Sequence, residues 1–290
     1  SGRELWKTDG TITGTTMISQ INPTGHAFYS SEQTVSQING ILYFVATDGV
    51  HGYELWRSDG TEEGTWMVKD INSAGDAFTT LNMIAIGDSI YFTANDGLDN
   101  TELWRSDGSE AGTVQIADIN PIGSSYPENL TEMGGLLFFS ADSSGPYREL
   151  WRSDGTEIGT VPIADYFNSG IRNPDYLTVM DDRLYFRAYH SSFGVELWQS
   201  DGTITGTSLI RDIPGTSSPE NLLVAGGQLF FTKEVGGLGR ELWKTDGTFT
   251  NTVLVRDIAP VYNVSSEPRG LYDFNGLLVF SANDGIHGRE

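Results

Sequence analysis

The sequence predicts an all-β protein, a six-bladed β-propeller built from four-stranded antiparallel blades. The first observation is a repeat, because the segment Glu-Leu-Trp-x-x-Asp-Gly occurs six times. The copies begin at Glu4, Glu54, Glu102, Glu149, Glu196 and Glu241, and a truncated seventh begins at Glu290. The spacing of roughly 45 to 50 residues, with several short strands in each period, is typical of propellers. We therefore expect residues 1–290 to form a single propeller domain.

The second observation is that each period contains four strand-like segments, which we letter a to d. In the third repeat they are predicted over 126–133, 136–141, 148–153 and 160–166. A pair of Gly, Asn or Asp residues separates a from b in every copy, as in Gly134-Gly135. Such pairs suit the positive φ angles of a two-residue hairpin. Apolar residues follow one another in strand b, as in Leu137-Phe138-Phe139, and this predicts burial on both faces.

The turn between strands c and d contains a fixed residue, which is Gly in five copies and Asn251 in the sixth. Gly and Asn are the residues that best tolerate a left-handed backbone. We therefore expect positive φ at this position in the other five copies, which are Gly14, Gly64, Gly112, Gly159 and Gly206. Pro162 falls in strand d and cannot donate a ladder hydrogen bond, so strand d is predicted to be an edge of its blade.

The third observation concerns the two ends of the chain. Residues 4–21 supply strands c and d of one unit, and residues 270–282 supply strands a and b of another. Joining these halves would complete a sixth blade and close the ring, which removes exposed sheet edges. The chain opens at Ser1 in mid-repeat without a Met, so we expect it to be a piece of a longer protein.

The composition excludes two kinds of interaction for this chain, binding to nucleic acid and insertion into a membrane. The formal net charge is −22, with 17 Lys and Arg against 39 Asp and Glu. Nucleic acid is excluded as a partner, since phosphates require neutralisation by basic side chains. No apolar run approaches the ~18–20 residues that span a bilayer, so no membrane insertion is expected. The chain has no Cys, which excludes disulfides and thiolate metal sites.

The twelve-residue string Glu54-Leu-Trp-Arg-Ser-Asp-Gly-Thr-Glu-Glu-Gly-Thr65 recurs nearly unchanged from Glu4, Glu149 and Glu196. It resembles the ELWxxDGT repeat family of large secreted or surface proteins of bacteria, and the resemblance covers the whole chain. The resemblance implies a propeller-type repeat and a location that is secreted or on the cell surface. It transfers no catalytic residues, and we predict no catalytic site and no required cofactor.

The loops between strands b and c contain the candidates for a metal site. Asp48, Asp96 and Asp284 each precede a Gly in an oxygen-rich loop, and such loops can hold Ca²⁺. Turn formation alone is the favoured interpretation, because Asp at such positions hydrogen-bonds its own backbone. Calcium is the alternative. Lys233 is also singled out, because it replaces an Ala that the other strand-b copies share.

The b–c and d–a loops vary between copies, whereas the a–b and c–d turns are short and nearly uniform. Aromatic residues on variable loops are typical anchors for a partner. The candidates are Tyr126, Phe167, Tyr189, Phe193 and Tyr262. The main hypothesis is a non-enzymatic extracellular binding or structural module, whose partner on this loop face is a protein, a glycan or neighbouring copies of itself. The alternative is a propeller hydrolase or lyase acting on polysaccharide, which a cluster of non-repeating His, Arg, Tyr and acidic residues would favour.

Overall fold

A computed structural model describes residues 2–29, 35–80, 82–98, 100–164, 166–215, 217–261 and 264–290, without the side chain of residue 166. This part of the chain is almost entirely β, with a single helical turn, α1 (Tyr166–Ser169). Within these ranges, no helix is long and apolar enough to cross a bilayer.

The strands follow one another as antiparallel hairpins. The N-terminal hairpin consists of β1 (Leu5–Lys7) and β2 (Thr16–Ser19). Sheet 1 contains β3 (Val35–Ile38), β4 (Ile41–Ala46), β5 (Glu54–Ser58) and β6 (Trp66–Lys69). Sheet 2 contains β7 (Met83–Ile86), β8 (Ser89–Asn95), β9 (Thr101–Ser106) and β10 (Val114–Ala117). Sheet 3 contains β11 (Glu128–Met133), β12 (Leu136–Asp142), β13 (Arg148–Ser153) and β14 (Val161–Ala164).

Sheets 4 and 5 continue the series. Sheet 4 contains β15 (Ile171–Met180), β16 (Arg183–His190), β17 (Gly194–Ser200) and β18 (Ser208–Arg211). Sheet 5 contains β19 (Glu220–Ala225), β20 (Gln228–Val235), β21 (Gly239–Thr245) and β22 (Val253–Arg256). The C-terminal hairpin consists of β23 (Arg269–Phe274) and β24 (Leu277–Ser281).

The sheet topology confirms the predicted all-β class and the four-stranded antiparallel blade. Five sheets have four strands in the order a, b, c, d, and the two terminal hairpins form separate two-stranded sheets. Strands a and d are the edges of each four-stranded sheet, so Pro162 in β14 lies on an edge strand as expected. Closure of a ring through the terminal hairpins stays a prediction.

The chain divides into two compact units. The first comprises Ser1–Leu137, Ala141–Pro146 and Ser153–Thr160, and the second comprises Phe138–Ser140, Tyr147–Arg152 and Val161–Glu290. Sheets 1 and 2 belong to the first unit, and sheets 4 and 5 belong to the second. Each unit therefore contains two whole sheets and one terminal hairpin.

Each unit packs its sheets through the strand-b and strand-c residues that the repeat motif supplies. In the first unit, Phe92 of β8 is opposite Trp104 of β9, and both belong to a buried cluster that includes Leu55 of β5. In the second unit, Phe231 of β20 pairs with Trp243 of β21 in the same register. The Phe and Leu side chains of these strands are almost completely buried. The repeated Leu-Trp pair therefore serves to pack the sheets against one another.

The Asp-Gly-Thr segment closes the c–d turn through a fixed set of hydrogen bonds. Asp59 Oδ1 accepts the backbone N–H and the hydroxyl of Thr61, at 2.9 and 2.6 Å. The Thr61 hydroxyl oxygen in turn accepts the N–H of Gly64, at 2.9 Å. Positive φ belongs to the Gly of the Asp-Gly pair, with φ +88° at Gly60. The motif is thus a self-contained turn.

The prediction of a left-handed backbone at the later Gly is wrong, because none of the five has a positive φ. A Cβ added at Gly64 would collide with the carboxylate of Asp59, so Gly is favoured there because it leaves room for this carboxylate. Asn251 takes this place in sheet 5 and donates from Nδ2 to Asp246 Oδ2 at 2.5 Å. The exchange of Gly for Asn therefore reflects contact with the turn carboxylate and not the backbone conformation.

Basic side chains join successive repeats by donating to backbone carbonyls. Lys7 donates to Gly60 O, Arg57 to Gly108 O, Arg152 to Gly202 O, Lys69 to Thr113 O and Arg211 to Thr252 O, at 2.6 to 3.4 Å. Each bond runs from strand c or d of one copy to the c–d turn of the next copy. These cations therefore act as links between neighbouring hairpins inside the fold.

The repeated Glu of the motif is buried and holds the chain segment that follows strand d. Glu54 is fully buried, and its carboxylate accepts the N–H groups of Ile71 and Asn72 at 2.9 and 3.2 Å. Burial raises the pKa of Glu54 to about 7, although these two N–H donors oppose the rise. Burial likewise raises the pKa of Glu102.

This raised pKa predicts a stability that falls as the pH rises. Glu54 is protonated in both states below its unfolded pKa, near 4.5, and only the unfolded chain loses the proton between there and about 7. We therefore expect the free energy of unfolding to decrease through that window by an amount on the order of 3 kcal/mol. Urea denaturation at several pH values measures it. The Glu54→Gln variant should lack this contribution, and the exposed control Glu62→Gln should retain it. An unchanged slope in Glu54→Gln would contradict the assignment.

Candidate functional site

Sheet 4 departs from the repeat at positions where the other sheets agree. Arg187 of β16 follows the strand-b Phe, and the equivalent residues elsewhere are Val45, Thr93, Ser140, Thr232 and Ser281. Tyr189 lies two residues further on, and its equivalents are Thr47, Asn95, Asp142, Glu234 and Asn283. The fold can be built with a small or polar residue at both positions. The large residues of sheet 4 therefore need another explanation.

Arg187 is held in place by neighbours from two sheets. Its Nη2 lies 2.8 Å from Asp175 Oδ2 of β15, and its Nη1 lies 3.9 Å from Glu220 Oε1 of β19. The ring of Tyr176 covers the guanidinium at 4.5 Å. Glu220 also pairs with Arg240 of β21 at 3.0 Å. Four charged side chains and one aromatic ring thus form a connected network.

Arg172 of β15 lies between two tyrosines. Its guanidinium carbon is 4.0 Å from the ring centre of Tyr147 and 4.0 Å from that of Tyr189. Such cation–π contacts are worth about 0.5–2 kcal/mol each and fix the orientation of the guanidinium plane. Arg172 and Arg187 line a cavity of about 280 Å³. Its other lining residues are Tyr147, Asn173, Tyr189, Val195 and Ser218. We call this space the sheet-4 cavity.

Tyr176 has an unusual backbone conformation. Its φ is +55°, in a region that an aromatic residue rarely occupies. The same position in β11, β19 and β23 is Asn129, Asn221 and Gly270, with φ of +58°, +56° and +61°. A bulge in strand a accompanies this conformation in β15, β19 and β23. Sheet 4 therefore places a Tyr where the backbone favours Asn or Gly, and its ring lies on Arg187. Such strain is commonly retained at functional sites.

The sequence prediction found part of this cluster. Tyr189 lines the cavity, and Phe193 stacks on His190 at 4.9 Å between ring centres. Tyr126 and Phe167 are exposed, with 51% and 75% of their surface accessible. Tyr262 lies outside the described residues. Arg172, Arg187 and Tyr176 were missed. A comparison of the six copies at the position of Arg187 could have identified this residue, in the way that the same comparison identified Lys233.

The candidate calcium loops close on themselves. Asp48 Oδ1 accepts the N–H groups of Val50 and His51, and Asp48 Oδ2 lies 2.8 Å from Nδ1 of His51. Asp284 makes the same contacts with Ile286 and His287. Asp96 Oδ1 accepts the N–H of Leu98 at 2.9 Å. Among the residues that the structure describes, no group of three or more His, Asp or Glu side chains is arranged to hold a metal ion. Calcium stays a hypothesis that these contacts do not require.

Comparison with solved structures identifies other proteins with this fold. The chain is similar to a structure from a study of two prolyl endopeptidases and the role of inter-domain dynamics in their catalysis and specificity. The TM-score is 0.53 at 11% identity, over 87% of this chain and 37% of that one. It is also similar to a puromycin hydrolase mutant complexed with PGG, with a TM-score of 0.50 at 14% identity, over 98% of this chain and 49% of that one.

The chain thus spans less than half the length of these solved structures. No protein-family model matches it, and no match was found among curated proteins. The similarity supports the propeller-like fold. It also corrects the main functional hypothesis: the interpretation as a non-enzymatic binding or structural module is wrong, because the similar structures are propeller-containing peptidases. The hydrolase alternative is the better supported of the two.

Proposed function

We propose that this chain is the propeller of a hydrolase and that the sheet-4 cavity binds part of the substrate. The observation that supports the proposal most is the cluster of Arg172, Arg187, Tyr176 and Tyr189, because it is built from residues that the repeat does not need. Residues required by the fold recur in every copy, whereas a binding site needs only one. The similarity to propellers of hydrolytic enzymes agrees with this assignment.

We further propose a peptide substrate in place of the polysaccharide expected from the sequence. Both solved structures are named as enzymes of the hydrolase class, and one is named as a prolyl endopeptidase. In this proposal the propeller binds and orients the substrate, and the bond-breaking groups need not lie in this chain. A secreted or surface location, suggested by the likeness to the ELWxxDGT repeat family, is compatible with either substrate.

The native protein that contains this propeller provides the test. It is incubated separately with a mixture of peptides and with acidic polysaccharides, and new chain ends are identified by mass spectrometry. We expect peptide-bond cleavage, with a raised KM in the Arg187→Thr variant because the substrate is held less firmly. Cleavage of polysaccharide alone would contradict the peptide assignment, and cleavage of neither would contradict the proposed function.

The closed ring is the architecture that we propose for this propeller. In sheets 1, 2, 4 and 5 the b–c register pairs Phe with Trp and Leu or Ile with Ser or Thr, as in Phe231–Trp243 and Leu229–Thr245. Closure in this register would bring Leu278 beside Thr8. In the structure the backbone of Glu290 pairs with that of Ala282 through two hydrogen bonds of 2.9 Å. Ring closure through the N-terminal hairpin would require Glu4 to take the place of Glu290 in this pairing.

Because the chain has no Cys, a double substitution reports directly on closure. The Thr8→Cys, Leu278→Cys variant is oxidised at low protein concentration and digested for mass spectrometry. We expect an intramolecular disulfide in the monomer, since facing strand residues lie within disulfide reach. Free thiols, or disulfides formed only between molecules, would contradict ring closure. Thr8→Cys with Cys at the remote Ile158 is the control that should stay reduced.

A further inference from the structure

We infer that Val195 opens the sheet-4 cavity and determines the size of the substrate side chain that the cavity admits. This inference rests on the proposed function and deepens it, because it names the residue that sets the specificity of that site. Val195 belongs to β17 and lies directly before the Glu of the repeat motif.

The residue directly before the motif Glu is an arginine in four of the seven copies. Sheet 4 has Val there, and the equivalent residues of the other copies are Arg3, Tyr53, Thr101, Arg148, Arg240 and Arg289. Where an arginine is present, its side chain reaches a polar group beyond its own strand. Arg148 Nη2 donates to Ser140 O at 2.9 Å, and Arg289 Nη1 donates to Glu267 O at 2.8 Å. Val195 makes no such contact, because its side chain is short and has no polar atom.

The arginine that pairs with the acid of strand a lies on different strands in sheets 4 and 5. In sheet 5, Arg240 of strand c donates to Glu220 of strand a at 3.0 Å. In sheet 4, Arg187 of strand b is opposite Asp175 of strand a and donates to it at 2.8 Å. The acid is therefore paired in both sheets, and sheet 4 needs no arginine on strand c. Val195 takes that position.

The cavity lies in front of the short side chain of Val195. Val195 lines it and is opposite Tyr189 of β16, which is another lining residue. The equivalent pair in sheet 5 is Arg240 opposite Glu234. A longer side chain in place of Val195 would extend from the same backbone position into this space. The volume that a substrate can occupy is therefore set by the side chain at this position.

The volume of the cavity suits one large side chain. At about 280 Å³ it is just below the range of ~300–1,000 Å³ that is typical of sites for whole small molecules. One methylene more or less in such a pocket changes the discrimination between substrates by about 10–200-fold. Exchange of Val195 for a larger or a smaller residue should therefore change which peptide is preferred.

Hydrolysis of graded peptides by the native protein tests the inference. The substrates are short alanine peptides with Leu, Phe or Trp placed at each position in turn. At one position we expect Phe to raise kcat/KM at least about tenfold over Ala, through a lower KM. Val195→Tyr, which installs the residue of sheet 1, should abolish this preference, and Val195→Ala should extend it to Trp. Arg3→Tyr, the same exchange at the equivalent position of the N-terminal hairpin, is the control that should keep it. An unchanged preference in Val195→Tyr would overturn the inference.

A second measurement is independent of hydrolysis. Because the chain has no Cys, Val195→Cys places a single thiol in the cavity. We expect N-ethylmaleimide to label this thiol in the folded chain, and the bulkier N-pyrenylmaleimide to label it at least about tenfold more slowly, because it overfills the space. Ile158→Cys, at a position with 93% exposure, is the control that should react with both reagents at similar rates. Equal rates at Val195→Cys, or no labelling by N-ethylmaleimide, would overturn the inference.

Val195→Ala and Val195→Cys keep the test valid if Val195→Tyr fails to fold, because both introduce a smaller side chain. Failure of the inference is also separable from failure of the proposed function. Size-selective labelling without hydrolysis of any peptide would support Val195 as the residue that limits the cavity and contradict the enzyme. Hydrolysis with the same peptide preference in every Val195 variant would support the enzyme and contradict the role of Val195.

Discussion

Replacing Lys233 by Ala should destabilise the second unit by about 3–5 kcal/mol, the cost of breaking a buried ion pair by removing one partner. Lys233 Nζ lies 2.6 Å from Glu196 Oε1, and both side chains are almost inaccessible, at 0% and 4% of their surface. The copies differ in how they satisfy this Glu. In two of them a Ser hydroxyl donates to it, namely Ser125 to Glu102 and Ser266 to Glu241.

The loss should depend on pH. Burial raises the pKa of Glu196, and the Lys233 ammonium opposes that rise. Without Lys233 the carboxyl can lower its energy by taking up a proton, so the penalty should be smaller at pH 5 than at pH 8. Urea denaturation at both pH values measures this difference.

Two further variants separate the charge from the packing. Adding Glu196→Gln to Lys233→Ala removes the uncompensated buried charge, and the double variant should regain part of the loss. Lys244→Ala, on the neighbouring strand β21 and partly exposed, should cost no more than about 0.5 kcal/mol. A Lys233→Ala protein as stable as the wild type at pH 8 would show that the pair contributes nothing.

Deletion of residues 1–21 should have a still larger effect, because it removes the cover of a buried cluster in the first unit. Ile21 and Leu5 pack on Phe28, Phe44 and Trp56. Exposing several large side chains that each stabilise by about 1.5–3 kcal/mol removes an amount comparable to the whole stability of a domain.

Thermal unfolding and analytical ultracentrifugation measure the consequence of this deletion. We expect a lower melting temperature for the first unit, with self-association through the uncovered surface. Ile12→Ser, in the turn of the same hairpin at 96% exposure, is the control that should behave as wild type. A monomeric deletion variant that melts at the wild-type temperature would show that the hairpin contributes no stabilising contact.

The structural roles of the residues that every copy shares could be predicted from the sequence, whereas residues of a single copy such as Lys233 could be noticed but their contacts could not be predicted. Consecutive apolar residues in strand b predicted its burial, because burial on both faces requires them in every sheet. The Gly64 prediction failed because the same residue preference arises from two causes, backbone conformation and space beside Asp59. Arg187 was missed because its position was not compared between the copies, as the position of Lys233 was. The contact of Arg172 with Tyr147 depends on how two sheets pack, which no local sequence pattern encodes.

The basic side chains that link neighbouring hairpins also govern how an anion reaches the protein. Lys7, Arg57 and Arg152 are committed to carbonyls inside the fold, while the net charge is −22. At low ionic strength an approaching anion is therefore repelled by the net charge over a long range, and it meets the arginines of the sheet-4 cavity only at close range. Added salt screens the long-range repulsion more than the short contacts. The association rate of any anionic ligand should consequently rise with moderate salt, the reverse of the behaviour of a basic protein that attracts an anionic ligand over a long range.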